Sequence, residues 1–188
     1  LLLPFCIIGQ YQIGHSTLTF NDPSRSGGFG SGGGAGRQIQ TEIYYPSYTA
    51  GENTAVATFP NFPVIVFGHG FAMGWDAYAN IWQHLAPQGY ILAFVRTEGS
   101  LIPAPSHGDF GADLALVATK MLALNGAAGS PFNGKVKQKV VIMGHSMGGG
   151  ATMLAAENNT SIAGIVGLAP AETNPSAVSV CGNINVPA

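Results

Sequence analysis

Charge is what this sequence of 188 residues has least of. Seven Lys and Arg with nine Asp and Glu make up 9% of it, against roughly 25% in an ordinary globular domain. A net charge of −2 with scattered cations leaves no basic stripe for a nucleic-acid backbone. The cations at Lys135, Lys137 and Lys139 do cluster, and they read as a solvated strand entrance. No apolar run approaches the ~20 residues of a membrane helix, so stable membrane insertion is not expected. The five histidines fall in no H-x-x-x-H or Cys/His array, which argues against a metal. Repeats and heptads are absent too. What remains is 46% hydrophobic with a mean hydropathy of +0.25, enough to fill one core and too much for charge-driven disorder.

Cysteine is nearly missing as well: only Cys6 and Cys181 occur. The first ten residues, LLLPFCIIGQ, read as the remnant of a secretory signal with cleavage near Gly9-Gln10, the alternative being a buried first strand. That implies a secreted or periplasmic protein, with residues 11–188 as the body of one domain. Cys6 would leave with the signal. Cys181 is then either a buried thiol or the partner of a cysteine outside this sequence.

Residues 11–20 and 37–45 alternate polar and apolar, as half-buried antiparallel strands do. Between them NDPSRSGGFGSGGGAG (21–36) is a flexible connection by composition. It lacks the Gly-Lys-Ser/Thr ending of a phosphate cradle, and no cofactor is expected. After Pro63 short apolar strands (64–67, 90–95, 140–143, 162–168) alternate with helical patterns. Tyr78, Ile81, Trp82 and Leu85 mark one helix, stopped by Pro87 and Gly89. Phe110, Leu114, Val117, Met121 and Leu124 mark another, with Ser106 as its N-cap and Asp109 three residues on. Asp109 and Asp113 read as a cap and a solvated face. The expected class is α/β: a mostly parallel sheet with helices on both faces and antiparallel strands at its N-terminal end.

The stretch GHSMGGG (144–150) follows the third apolar strand and opens a helix pattern. Its core matches G-x-S-x-G, a pattern that chance alone would give this composition ~0.25 times. Its place is the stronger signal, because a nucleophile elbow must lie at a strand-to-helix corner. Gly144 and Gly148 remove side chains that would collide there, and Ser146 is the candidate nucleophile. A second motif, Gly68-His69-Gly70-Phe71, ends an earlier strand. The backbone N–H groups of Phe71 and Met147 are then the candidate oxyanion hole. Phe71, Met147, His145 and Trp75, with Ile102, are candidate substrate contacts.

These stretches, together with Leu124-Asn125-Gly126, Ser130-Pro131, Gly134-Lys135-Val136 and Leu168-Ala169-Pro170, resemble the dienelactone-hydrolase and polyester-hydrolase branch of the α/β-hydrolases. The likeness runs from about residue 35 onward and implies ester hydrolysis through an acyl-enzyme, on lipid, polyester or small esters, by a monomer. Ala171 follows Pro170 where the polyester hydrolases often carry tryptophan, which weakens the case for aromatic polyesters.

Serine chemistry needs a base and an orienting carboxylate, in this fold later in the chain. No histidine follows Ser146, and the carboxylates beyond it are Glu157 and Glu172. Of the upstream histidines, His145 on the turn points away from the serine, His69 belongs to the glycine loop, and His107 lies on a loop after a strand. The expectation is an incomplete hydrolase domain, with the acid and histidine in about 70–100 further residues and residues 184–188 entering the next strand. An acyltransferase or thioesterase, or a hydrolase fold used only for binding, are the alternatives. The glycosylation sequons within 158–161 carry no weight.

Overall fold

The computed structural model describes residues 11–58 and 61–188. Strands β1 (Gln12–Asp22), β2 (Gly28–Phe29), β3 (Arg37–Ser47), β4 (Gly51–Glu52), β5 (Phe62–Gly68), β6 (Ile91–Val95), β7 (Val136–His145) and β8 (Gly164–Leu168) form one sheet. Its order is β4-β1-β3-β6-β5-β7-β8, with β2 paired to β3. The helices are α1 (Ala79–Leu85), α2 (His107–Ala123) and α3 (Met147–Ala156). β1 and β3 pair antiparallel over their full lengths, and β3 is antiparallel to β6. From β6 to β8 every pairing is parallel.

Side-chain alternation in the wholly apolar strands explains the two faces. Val64 and Val66 of β5 join Phe110, Leu114 and Val117 in the larger core beneath α2 and α3. Ile65 and Phe67 turn the other way, with Leu92 and Phe94, into a smaller core that Trp82 and Tyr78 cover. Helices on both faces are what continuous apolar strands require.

The chain leaves β5 through α1 toward β6, crosses back through α2 to β7, and leaves β7 through α3 toward β8. Connections from the neighbouring strands β5 and β7 therefore diverge at their carboxyl ends, the switch point at which α/β sheets place their sites.

Four expectations need correction. The 21–36 connection is anchored: Arg25 reaches Asp22, Asp109 and Asp113, while β2 pairs with β3 at Gly28 and Phe29. Asp113 is not solvated but fully buried. Cys181 is exposed rather than buried, and it is a free thiol among the described residues. Residues 184–188 form no strand, although the Pro187 carbonyl accepts the Ile165 N–H of β8 at 2.9 Å. The leader reading of residues 1–10 lies outside the described residues.

Candidate active site

Strand β7 ends at His145 and α3 begins at Met147, so Ser146 is the single residue of the corner. Its backbone sits at φ 53°, ψ −115°. Positive φ in a side chain other than glycine costs on the order of 1–3 kcal/mol and persists only where the surroundings impose it. Three main-chain bonds impose it here. Ser146 N–H donates to the Leu168 carbonyl at 3.0 Å, and its own carbonyl accepts Gly150 N–H at 3.1 Å and Ala171 N–H at 2.9 Å. The flanking glycines are needed for close approach. A Cβ on Gly144 would strike the Gly148 carbonyl, and one on Gly148 would strike the Gly68 carbonyl at the end of β5.

The elbow therefore packs backbone to backbone against the start of the glycine loop. In that loop Phe71 is half exposed and Ala72 has φ 54°. No carbonyl among the described residues accepts the Phe71 N–H. Met147 opens α3, where first-turn N–H groups have no intrahelical acceptor. Both amides are thus available, and the α3 dipole favours negative charge at its N-terminus.

The named side chains separate. The Met147 side chain is buried in the larger core, so its contribution to a site is its amide. Trp75 turns away toward β3: its Nε1 donates to the Tyr44 hydroxyl at 3.2 Å, and the Arg96 guanidinium lies 4.2 Å above its ring. It borders a cleft of about 640 Å³ with Phe29, Arg96, Glu98 and Ser100, which neither Ser146 nor Phe71 lines. His69, Met73 and Gly74 of the loop after β5 line the same cleft on its other side. Ile102 is 91% exposed.

Each histidine is committed elsewhere. His145 Nδ1 lies 2.9 Å from the Tyr78 hydroxyl. His69 is buried, its Nδ1 2.9 Å from the Gly70 carbonyl and its Nε2 2.9 Å from the Thr97 carbonyl. His107 is the first residue of α2 rather than a loop residue, and its Nδ1 accepts the Asn174 N–H at 3.0 Å. His15 pairs with Glu42 at 2.8 Å, and His84 contacts Gln88. Downstream, Glu157 accepts from Asn183, and Glu172 accepts the Val178 N–H. Hydrogen bonds led by that from Ser176 hold the Glu172 carboxyl below its ordinary value. Among the described residues, no histidine and carboxylate are joined in reach of Ser146.

Two features were not legible in the sequence. Tyr78, which patterns as one more apolar helix residue, ends a 3-10 turn (Trp75–Tyr78) and places its hydroxyl between the glycine loop and His145. Asp113 accepts from Arg25, Arg37 and Thr97 at 2.6–3.0 Å. Burial opposes the charge on Arg37, yet hydrogen bonds and attraction from Asp113 and Glu98 raise its pKa above the ordinary arginine value. A charged residue in the second turn of an amphipathic helix carries no sequence mark of this burial.

A mostly parallel sheet with divergent loops, a strained serine at a strand-to-helix corner and a glycine loop beside it define an α/β-hydrolase. More narrowly, the chain belongs to the PET hydrolase-like family, whose model matches residues 9–186. It is 29% identical, over 130 residues, to the bis(hydroxyethyl) terephthalate hydrolase of Streptomyces coelicolor (strain ATCC BAA-471 / A3(2) / M145), covering 68% of this chain and 36% of that protein. The chain thus spans about a third of the length of that curated relative. The fold is shared with a ferulic acid esterase from Streptomyces cinnamoneus, with a TM-score of 0.61 and 19% identity, covering 85% of this chain and 58% of that one.

Proposed function

We propose that this chain carries the nucleophile and oxyanion hole of a serine carboxylic-ester hydrolase. Ser146 Oγ attacks the ester carbonyl carbon, its proton passing to a base. The carbonyl oxygen becomes an oxyanion that accepts from the N–H groups of Phe71 and Met147. Collapse expels the alcohol, which takes up the proton, and leaves an acyl-Ser146. Water then attacks that acyl group, releasing the acid and restoring the serine. The base and its orienting acid are not among the residues described.

The observation that carries this reading is the Ser146 backbone at φ 53°, ψ −115° between β7 and α3. A residue whose only duty was packing gains nothing from that strain. The half-exposed Phe71 ring, beside the candidate oxyanion amide, is placed to contact the acyl group. The names of the two related proteins favour esters of aromatic acids as the first substrates to try. Ala171 offers no ring after Pro170, which favours small aryl esters over polymer. The leader-like LLLPFCIIGQ supports export as part of this reading.

The test is turnover of p-nitrophenyl and aryl esters by the full-length protein, with a fluorophosphonate probe mapped by mass spectrometry. Labelling at Ser146 and a fall of roughly four to six orders of magnitude in kcat for Ser146→Ala are expected. An unlabelled Ser146 in protein that hydrolyses nothing overturns the assignment, and acyl transfer to added alcohol in preference to water redirects it.

A further inference from the structure

We propose that the Tyr78 hydroxyl is a positioning group for this reaction: it ties the glycine loop after β5 to the elbow after β7 and so fixes the distance between the two oxyanion amides. The proposal rests on the esterase reading above.

The Gly70 N–H donates to the Tyr78 hydroxyl at 2.8 Å. On the other side of the same oxygen lies His145 Nδ1, at 2.9 Å, on the residue preceding the nucleophile. A phenol has one proton and can accept as well. With a lone pair occupied by Gly70, its proton is free for His145 Nδ1, the Met73 sulfur at 3.2 Å being the weaker acceptor. Burial pushes the Tyr78 hydroxyl up from the ordinary tyrosine value, which favours the phenol, the form able to donate. Its ring is held against Phe67, with centroids 4.7 Å apart, and is 6% exposed.

The Gly70 carbonyl is held as well: it accepts the Met73 N–H at 3.2 Å, and the His69 ring lies against it with Nδ1 2.9 Å away. That carbonyl and the Phe71 N–H belong to one planar peptide unit and point in opposite directions. Fixing Gly70 at both its N–H and its C=O therefore aims the Phe71 N–H. Across the hydroxyl, His145 is held next to Ser146 and Met147, so the second amide is referenced to the same atom. Space at the junction is closed: a Cβ on Gly70 would lie 2.9 Å from the Met73 sulfur, 3.0 Å from His145 Nδ1 and 3.1 Å from the Tyr78 oxygen.

An oxyanion donor acts over a few tenths of an ångström, and a displacement of about 1 Å costs on the order of 10²-fold. Tyr78→Phe keeps the ring and deletes only the tie. The expected result in the full-length protein is a kcat on p-nitrophenyl esters lower by about 10- to 100-fold, with KM within about twofold because ground-state binding makes little use of the donors. Fluorophosphonate titration to completion should still count one Ser146 per chain. Gly70→Ala, which retains every polar group but wedges the junction, should reproduce the same kcat defect. Wild-type kcat in either variant overturns the proposal, as does a loss that follows the number of titratable sites or appears in KM instead. Wild-type protein with neither turnover nor labelling fails at the esterase reading, a separate result.

Discussion

Ser146 is held in a conformation its own side chain disfavours, and the glycines around it are there because backbone atoms occupy the space a Cβ would need. The first consequence is a stability cost. Ser146→Gly should abolish turnover and raise stability by about 1 kcal/mol, read as a higher urea midpoint at unchanged slope. Gly148→Ala has the opposite sign, because its methyl meets the Gly68 carbonyl. A loss of about 1–3 kcal/mol is expected, with the elbow displaced and turnover reduced. This corner was legible in the sequence: the strand, the pentad and the helix are local, and local sterics dictate which residues can stand there. The roles of Trp75 and the Met147 side chain were not. Adjacency in sequence places a side chain near a site, but the direction it takes is set by what packs against it, here Arg96 for Trp75 and the core for Met147.

At the scale of elements, the parallel strands and α2 declared themselves because apolar runs and a three-to-four-residue apolar period have few other uses. Asp113 shows where that reasoning ends. It sits on α2 yet gathers Arg25 from the glycine-rich connection, Arg37 from the start of β3 and Thr97 from the loop after β6. Thr97 in turn presents its carbonyl to His69, so this ionic junction borders the glycine loop. Removing one partner of a buried ion pair strands the other. Asp113→Ala should lower stability by about 3–5 kcal/mol in chemical denaturation. Amide exchange should rise most in residues 21–36, whose anchor is Arg25. Faster exchange spread evenly over the sheet would contradict that anchoring role. Composition gave the connection as flexible, since glycine counts take no account of an arginine reaching a helix far along the chain.

For the whole molecule, scarce charge means that each ion pair matters to stability against pH. Glu42 is nearly fully buried in β3, where burial raises its pKa but hydrogen bonds from Thr17, His15 and Arg96, with the Arg96 charge, outweigh it. The net shift is downward from 4.5. A depressed carboxylate contributes stability that is fully present above its unfolded value and lost as pH falls through the folded value. The difference in melting temperature between wild type and Glu42→Gln should therefore be largest above about pH 5 and shrink on acidification toward pH 3. A difference that stays constant or grows on acidification would show that Glu42 is not stabilised as a carboxylate.

The sequence by itself determined the α/β class, the strand and helix order, and the corner that presents Ser146, because each follows from side-chain periodicity or from sterics within a few residues. Only the tertiary structure decided that Asp113 is buried, that the glycine-rich connection is anchored, and that Tyr78 joins two loops. Those outcomes depend on contacts between residues far apart in the chain, and a hydrogen bond or ion pair of that kind exists only once the sheet has brought its partners together.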